Sequence, residues 1–290
     1  MTTTILPSLR WFAPRALGVF LLFAVTPPFA ERASAHDTWF LPKIFRLKPE
    51  QRTEIALTSG MRFPKNDHAI KAERISQAFL LLAGEKIQFP RFEPRTAYLG
   101  VPFAPSNVGV ATAFVELAPR TLELSSKQVR EYLREIGAPD SLQAFWKNVR
   151  SGNSSEGGAR WRETYSKHAK TFLFVGDAAS ISADSSWKTP VGMKIELVPE
   201  RHPGLLKAND KLPIRVLLDG KPLENFAVGY LRENDRHGRI VRTDAEGRAR
   251  IRLGKAGRYL LRGTLLQVST SNDEDWRSYF TTLTLEVRRS

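Results

Sequence analysis

The run Arg248-Ala249-Arg250-Ile251-Arg252-Leu253 alternates charge and apolarity at every step. In an extended chain successive side chains point to opposite faces, so three arginines share one side and three apolar residues the other. A helix would scatter the same residues around its circumference. The pattern is that of an antiparallel strand with one face in a core and one in water.

Similar runs surround it. Strands are expected at Arg52–Thr58, Ser76–Ala83, Ala111–Leu117, Lys170–Val175, Lys194–Pro199, Leu212–Leu218, Phe226–Arg232, Arg239–Thr243, Arg258–Leu265 and Tyr279–Val287. Asp219-Gly220 suits a two-residue hairpin turn, and Asp244-Ala245-Glu246-Gly247 a slightly longer one. One segment departs from this period. Val129, Tyr132, Leu133 and Ile136 fall at helical spacing, with Ser125 and Gln128 placed as a capping box and Gly137 as a stop. Leu142, Phe145, Trp146 and Val149 repeat the spacing. The segment 125–152 is therefore a helical hairpin inserted among strands. It is followed by a Gly/Ser-rich loop, Asn153–Ala159, expected to be mobile, and by Arg160–Ala169, read as a lead-in to the next strand.

The fold class is mainly β: two β-sandwich-like domains with a small helical insertion in the first. The boundary falls at Trp187–Gly192, giving domains of residues 36–189 and 190–290. The second holds about seven strands, the density of an immunoglobulin- or prealbumin-like sandwich.

The amino terminus reads as a secretory signal over residues 1–35. Arg10 and Arg15 precede an apolar run from Ala16 to Thr26, and Ala33-Ser34-Ala35 forms a cleavage site. The apolar run is about 11 residues, short of the roughly 20 that span a bilayer. No integral membrane segment is expected after cleavage, and the periplasm, reached in unfolded form through the Sec route, is the expected location. The chain has no cysteine, so disulfides, lipoprotein anchoring and thiolate metal sites are excluded. The formal charge is +14; loss of Arg10, Arg15, Arg32 and Glu31 with the signal would leave +12, split equally between the two expected domains. No basic tail or basic helix concentrates it along the chain, so nucleic acid is not an expected partner. Such a surface is expected to have weak, salt-sensitive affinity for anionic lipid or polysaccharide.

Cleavage after Ala35 would make His36 the first residue. An amino-terminal histidine can chelate one metal ion through its imidazole and its α-amine, whose pKa is roughly 7.7–8.0. Five histidines are present: His36, His68, His168, His202 and His237. No two have the spacing that places both on one helix face, so convergence depends on the fold. His202 and His237 read as exposed turn residues. The motifs of hydrolases, zinc proteases and phosphate-binding loops are missing, and no enzymatic activity is expected. Trp39, Trp146, Trp161, Trp187 and Trp276 could line a sugar-binding face, but core packing is the more ordinary use of such residues.

Four stretches carry a family resemblance. They are His36-Asp37-Thr38-Trp39-Phe40-Leu41-Pro42; Thr58-Ser59-Gly60-Met61-Arg62-Phe63-Pro64; Arg162-Glu163-Thr164-Tyr165-Ser166-Lys167 with Val175-Gly176-Asp177; and the series from Ile195-Glu196-Leu197-Val198-Pro199 to Thr282-Leu283-Thr284-Leu285-Glu286-Val287. Together they resemble a family of exported bacterial proteins of largely unknown function, often described as periplasmic components of nickel or cobalt uptake. The resemblance implies two β-rich domains and export. It also implies a part in nickel or cobalt uptake, with capture of the ion and delivery to a membrane transporter. Some members carry a histidine in the Gly-x-x-Phe-Pro region; here Met61 and Arg62 stand there. The expected metal residues are accordingly His36, Asp37 and His68, and a nitrogen-rich set of this kind suits Ni(II) or Cu(II). The alternative is a non-metal envelope scaffold that binds polysaccharide or protein.

Overall fold

The computed structural model describes residues 36–152, 161–269 and 275–290. The expected signal peptide and the loop 153–159 lie outside the described residues. The first half contains β1 (Asp37–Pro42), β2 (Arg46–Leu47), β3 (Thr53–Gly60), β4 (His68–Ala69), β5 (Ile75–Leu82), β6 (Glu85–Gln88), β7 (Glu93–Pro94), β8 (Leu99–Phe103) and β9 (Gly109–Leu124). Helices α1 (Ser126–Glu135) and α2 (Asp140–Gly152), strand β10 (Trp161–Val175) and the short α3 (Ala178–Ala183) follow. The second half contains β11 (Ile195–Pro199), β12 (Lys211–Leu218), β13 (Lys221–Pro222), β14 (Ala227–Arg232), β15 (Arg239–Arg242), β16 (Arg248–Arg252), β17 (Gly257–Val268) and β18 (Trp276–Val287).

The chain is mainly β with a small helical insertion, and its strands form three sheets. A first sheet runs β1-β3-β8-β7, with β4 beside β3. A third joins β16, β12 and β11, with β13 beside β12. Between them lies one long sheet, β15-β14-β17-β18-β10-β9-β5-β6. The two halves meet inside it: β10 and β18 pair in parallel from Glu163↔Trp276 to Thr171↔Thr284. Strands from both sides of the expected boundary at 187–192 thus meet in one shared sheet.

Side-chain alternation shows how. Ala169, Leu173 and Val175 of β10 join a core with Phe40, Ile55, Leu57, Leu99 and Val101 of the first sheet. Phe172 and Phe174, on the other face of the same strand, join Ile195, Leu197, Leu212, Ile214, Val216 and Ile251. The outer sheets therefore cover opposite faces of the long sheet. Strand β10 is buried without interruption from His168 to Val175, as expected for a strand with no solvent face. Strand β1 has a free edge, and threonines of β18 close it: Thr282 Oγ1 donates to the Thr38 carbonyl at 2.6 Å and Thr284 Oγ1 to the Phe40 carbonyl at 2.7 Å.

Local signals hold where they were read. β16 alternates exposed and buried from Arg248 to Arg252. Asp219 and Gly220 both have positive φ, 50° and 74°, as a type I′ hairpin requires. Ser125 and Gln128 form the capping box, and Gly137, at φ 63°, ends the first helix of the pair. The expected lead-in from Arg160 to Ala169 is a correction: it is strand from Trp161 onward, register-paired with both β9 and β18.

The helices pack where the halves meet. Val129, Tyr132, Leu133 and Trp146 cover Trp161, Trp276 and Phe280, and the Trp161 and Trp276 rings stack at 4.2 Å. Beneath them the buried Glu163 carboxylate accepts from Tyr132 Oη at 2.9 Å, Trp161 Nε1 at 2.7 Å and the Ser278 hydroxyl. Burial pushes the Tyr132 phenol well above its ordinary pKa, so it serves as a donor.

Candidate functional site

The neighbourhood of His36 is assembled by β3. Its last residues pair on one side with β1, Asp37↔Gly60 and Thr38↔Ser59, and on the other with β4, Ser59↔His68. His36, just ahead of β1, and His68, in β4, therefore flank the same strand end. Their rings stack with centroids 5.2 Å apart and planes 15° apart. Gly60, at the end of β3, is closely packed. A Cβ there would stand 2.7 Å from Asp67 Oδ2 and 2.9 Å from the Trp39 ring, so any larger residue forces both away.

His36 is half-buried and His68 exposed. Burial pulls the His36 pKa below its ordinary value; the Lys167 ammonium and the His68 ring add to this, and Asp67 and Asp37 oppose it. The ring is thereby kept neutral near pH 7, the form that ligates metals. Lys167, on β10, donates from Nζ to the His36 carbonyl at 2.6 Å and fixes the backbone of this residue.

Asp37 does not join the pair. Its carboxylate forms an ion pair with Arg262 of β17, and that aspartate is the largest cause of the raised Arg262 pKa. Neighbouring residues in a strand point to opposite sides, which turns Asp37 away as His36 faces His68. The three expected metal residues are thus divided: two rings meet, and the carboxylate anchors β1 to the long sheet. Among the described residues no group of three His, Asp or Glu side chains is placed to hold a metal ion.

The other histidines have structural settings. His168 is buried, its Nδ1 bonds the Phe280 carbonyl at 2.9 Å, and its Nε2 lies 3.8 Å from Glu116 Oε1. His202 is not the exposed turn residue expected from sequence. Its Nε2 donates to the Ile181 carbonyl at 2.7 Å, and its Nδ1 accepts from the Gly204 amide at 3.0 Å, which ties the turn down. His237 is exposed. The five tryptophans considered for a sugar face, Trp39, Trp146, Trp161, Trp187 and Trp276, are all buried. Sequence reasoning missed Lys167 and Arg262, the two cations that hold the His36-Asp37 backbone and side chain. Nothing in their local sequence marks them, since both act through long-range strand register.

No helix among the described residues is long and apolar enough to cross a membrane. No curated protein matches the chain. Among solved structures it is similar to a chimeric titin Z1Z2 tandem, at 10% identity over 88% of this chain and 99% of that one, with a TM-score of 0.21. It is also similar to the adhesin InvE of Yersinia pseudotuberculosis, at 9% identity over 85% of this chain and 58% of that one, TM-score 0.22. A third is the α2-macroglobulin of Escherichia coli, at 12% identity over 88% of this chain and 20% of that one, TM-score 0.23. The chain spans little more than half of the adhesin and a fifth of the macroglobulin. Scores this low superimpose too little to assign anything to the chain. The family is another matter: residues 33–265 match the family described as "Domain of unknown function (DUF4198)", and the chain belongs to it.

Proposed function

We propose that the protein is an exported, non-enzymatic binding module that captures a transition-metal ion, nickel, cobalt or copper, and hands it to a membrane transporter. The observation that carries this reading is the meeting of His36 and His68 across the end of β3, with centroids 5.2 Å apart. Two imidazoles, one held neutral by burial, offer nitrogen donors, and the chain has no thiolate to compete. Cleavage after Ala35 would add the His36 α-amine to the same donor set. The metal is cargo, so an open, half-exposed site suits release better than a closed structural cage.

The test is calorimetry with Ni(II) and Cu(II) on four proteins: a chain beginning at His36, the same chain with one residue added in front, His36→Ala and His68→Ala. Binding to the first and a loss of at least about tenfold in each of the others is expected, since each removes one donor. The extra residue converts the amine to an amide without touching the core. Equal affinity in all four would remove the site and leave the non-metal envelope scaffold as the better reading.

A further inference from the structure

The alternation of β16 that decides the fold also builds a surface. Arg248, Arg250 and Arg252 stand exposed on the side of the strand away from the core. Their antiparallel partners on β12 are Arg215, Pro213 and Lys211, in that order. Lys211 and Arg252 are thus directly opposite one another, both exposed. Like charges directly opposite one another destabilise a sheet. Two carboxylates answer the array. Glu200 pairs with Arg215 at 2.8 Å and Arg248 at 3.0 Å, and Asp210 with the flanking Arg201 at 3.0 Å. No ion pair within 4 Å engages Lys211, Arg250 or Arg252 among the described residues. Beyond Arg252 the surface runs into a shallow depression walled by Lys255 and Arg289.

We infer that this face docks the protein on an anionic lipid bilayer. The chemistry of the face selects among polyanions. It is the broad side of a sheet, whereas a duplex groove admits a helix or a two-stranded ribbon. Neither β12 nor β16 carries an aromatic residue on which bases or sugar rings could stack. Point charges spread over a plane fit a plane of headgroup phosphates. Each cation near such a surface contributes about a factor of five in binding. The inference does not rest on the metal reading, because the face and the His36–His68 pair share no residue.

The experiment is vesicle co-sedimentation of residues 33–290, which form one compact unit. Vesicles of phosphatidylcholine alone are compared with vesicles that also contain phosphatidylglycerol, at low and high salt. Binding to the anionic vesicles alone, reversed by salt, is expected. The double variant R250E/R252E should lose more than about tenfold. The matched reversal K127E/R130E, on the exposed side of α1, should bind as the parent does. Thermal unfolding of both variants is measured alongside. If R250E/R252E unfolds, R250Q/R252Q carries the same expectation with a smaller fall. The proposal is overturned by no binding to anionic vesicles, by equal loss in both reversals, or by tighter binding to heparin or single-stranded DNA than to the vesicles.

Discussion

Lys170 of β10 and Glu196 of β11 form an ion pair 2.6 Å long in which neither side chain is more than 2% exposed. Glu196 also accepts from the backbone amides of Val191 and Gly192. The pair therefore fastens β11 to the shared sheet. Two charges withdrawn from water this completely repay their desolvation only while both are present. Lys170→Met is expected to cost about 3–5 kcal/mol, because it strands a buried carboxylate. Chemical denaturation measures this. The double change Lys170→Met/Glu196→Leu should recover much of the loss, and a double variant no better than the single would refute the pairing argument.

A second expectation concerns pH. Burial lowers the His168 pKa from its ordinary value of 6.5; the Phe280 carbonyl raises it and Lys194 lowers it further. A histidine whose folded pKa is depressed contributes stability that is present above 6.5 and lost as pH falls through the folded value. Glu116, which faces the ring, has a raised pKa and acts in the opposite sense in the acid range. The imidazole midpoint of His168 should thus lie below 6.5 by NMR. Stability should fall as the solution is taken below that pH, and the fall should shrink in His168→Gln. A midpoint at or above 6.5 would contradict the assignment.

Gly60 offers a test of the site's geometry apart from its donors. Gly60→Ala pushes a methyl group against Asp67 and Trp39. It should separate β4 from β1 and weaken Ni(II) or Cu(II) binding, with both histidines still in place. The fold should lose about 1–3 kcal/mol, the range for overpacking a tight contact. Retained metal affinity in a protein with this stability loss would show that the His36–His68 approach is not required.

The Glu163 carboxylate links α1 through Tyr132 to β10 and β18 through Trp161 and Ser278. Glu163→Leu leaves three buried donors without their acceptor, at about 1–3 kcal/mol each before relaxation. Hydrogen exchange should show the amides of α1 and α2 losing protection before those of the central strands. Equal loss throughout the chain would mean that the helices do not form a separately opening unit.

The sequence was readable where one face meets water. β16, β12 and β14 alternate or end in strong turn signals, and Arg248–Leu253 alone gave the period. Doubly covered strands such as β10 and β11 were readable only as β-branched and aromatic runs, and β1 and the polar start of β10 were missed. β1 is buried from Thr38 to Pro42 and has no alternation to detect. The first turns of β10 carry Arg162, Glu163 and Lys167, which look like loop residues until Tyr132, Ser278 and the His36 carbonyl are brought to them. The same limit applies to the candidate site. His36 and His68 could be named as candidates, but their approach depends on β3 standing between two strands. The basic face escaped a count along the chain because Lys211 and Arg252 meet only through register.

The bonds from β18 to β1 have a consequence for biosynthesis. Ribosomes deliver β1 well before β18, yet the carbonyls of Thr38 and Phe40 wait for the hydroxyls of Thr282 and Thr284, and Asp37 waits for Arg262. The surroundings of His36 cannot mature until β17 and β18 have been made. A chain cut short before β17 would keep β1 paired with β3 but lack Arg262 and the two threonine hydroxyls that hold its other edge, so the setting of His36 is completed by strands made long after it.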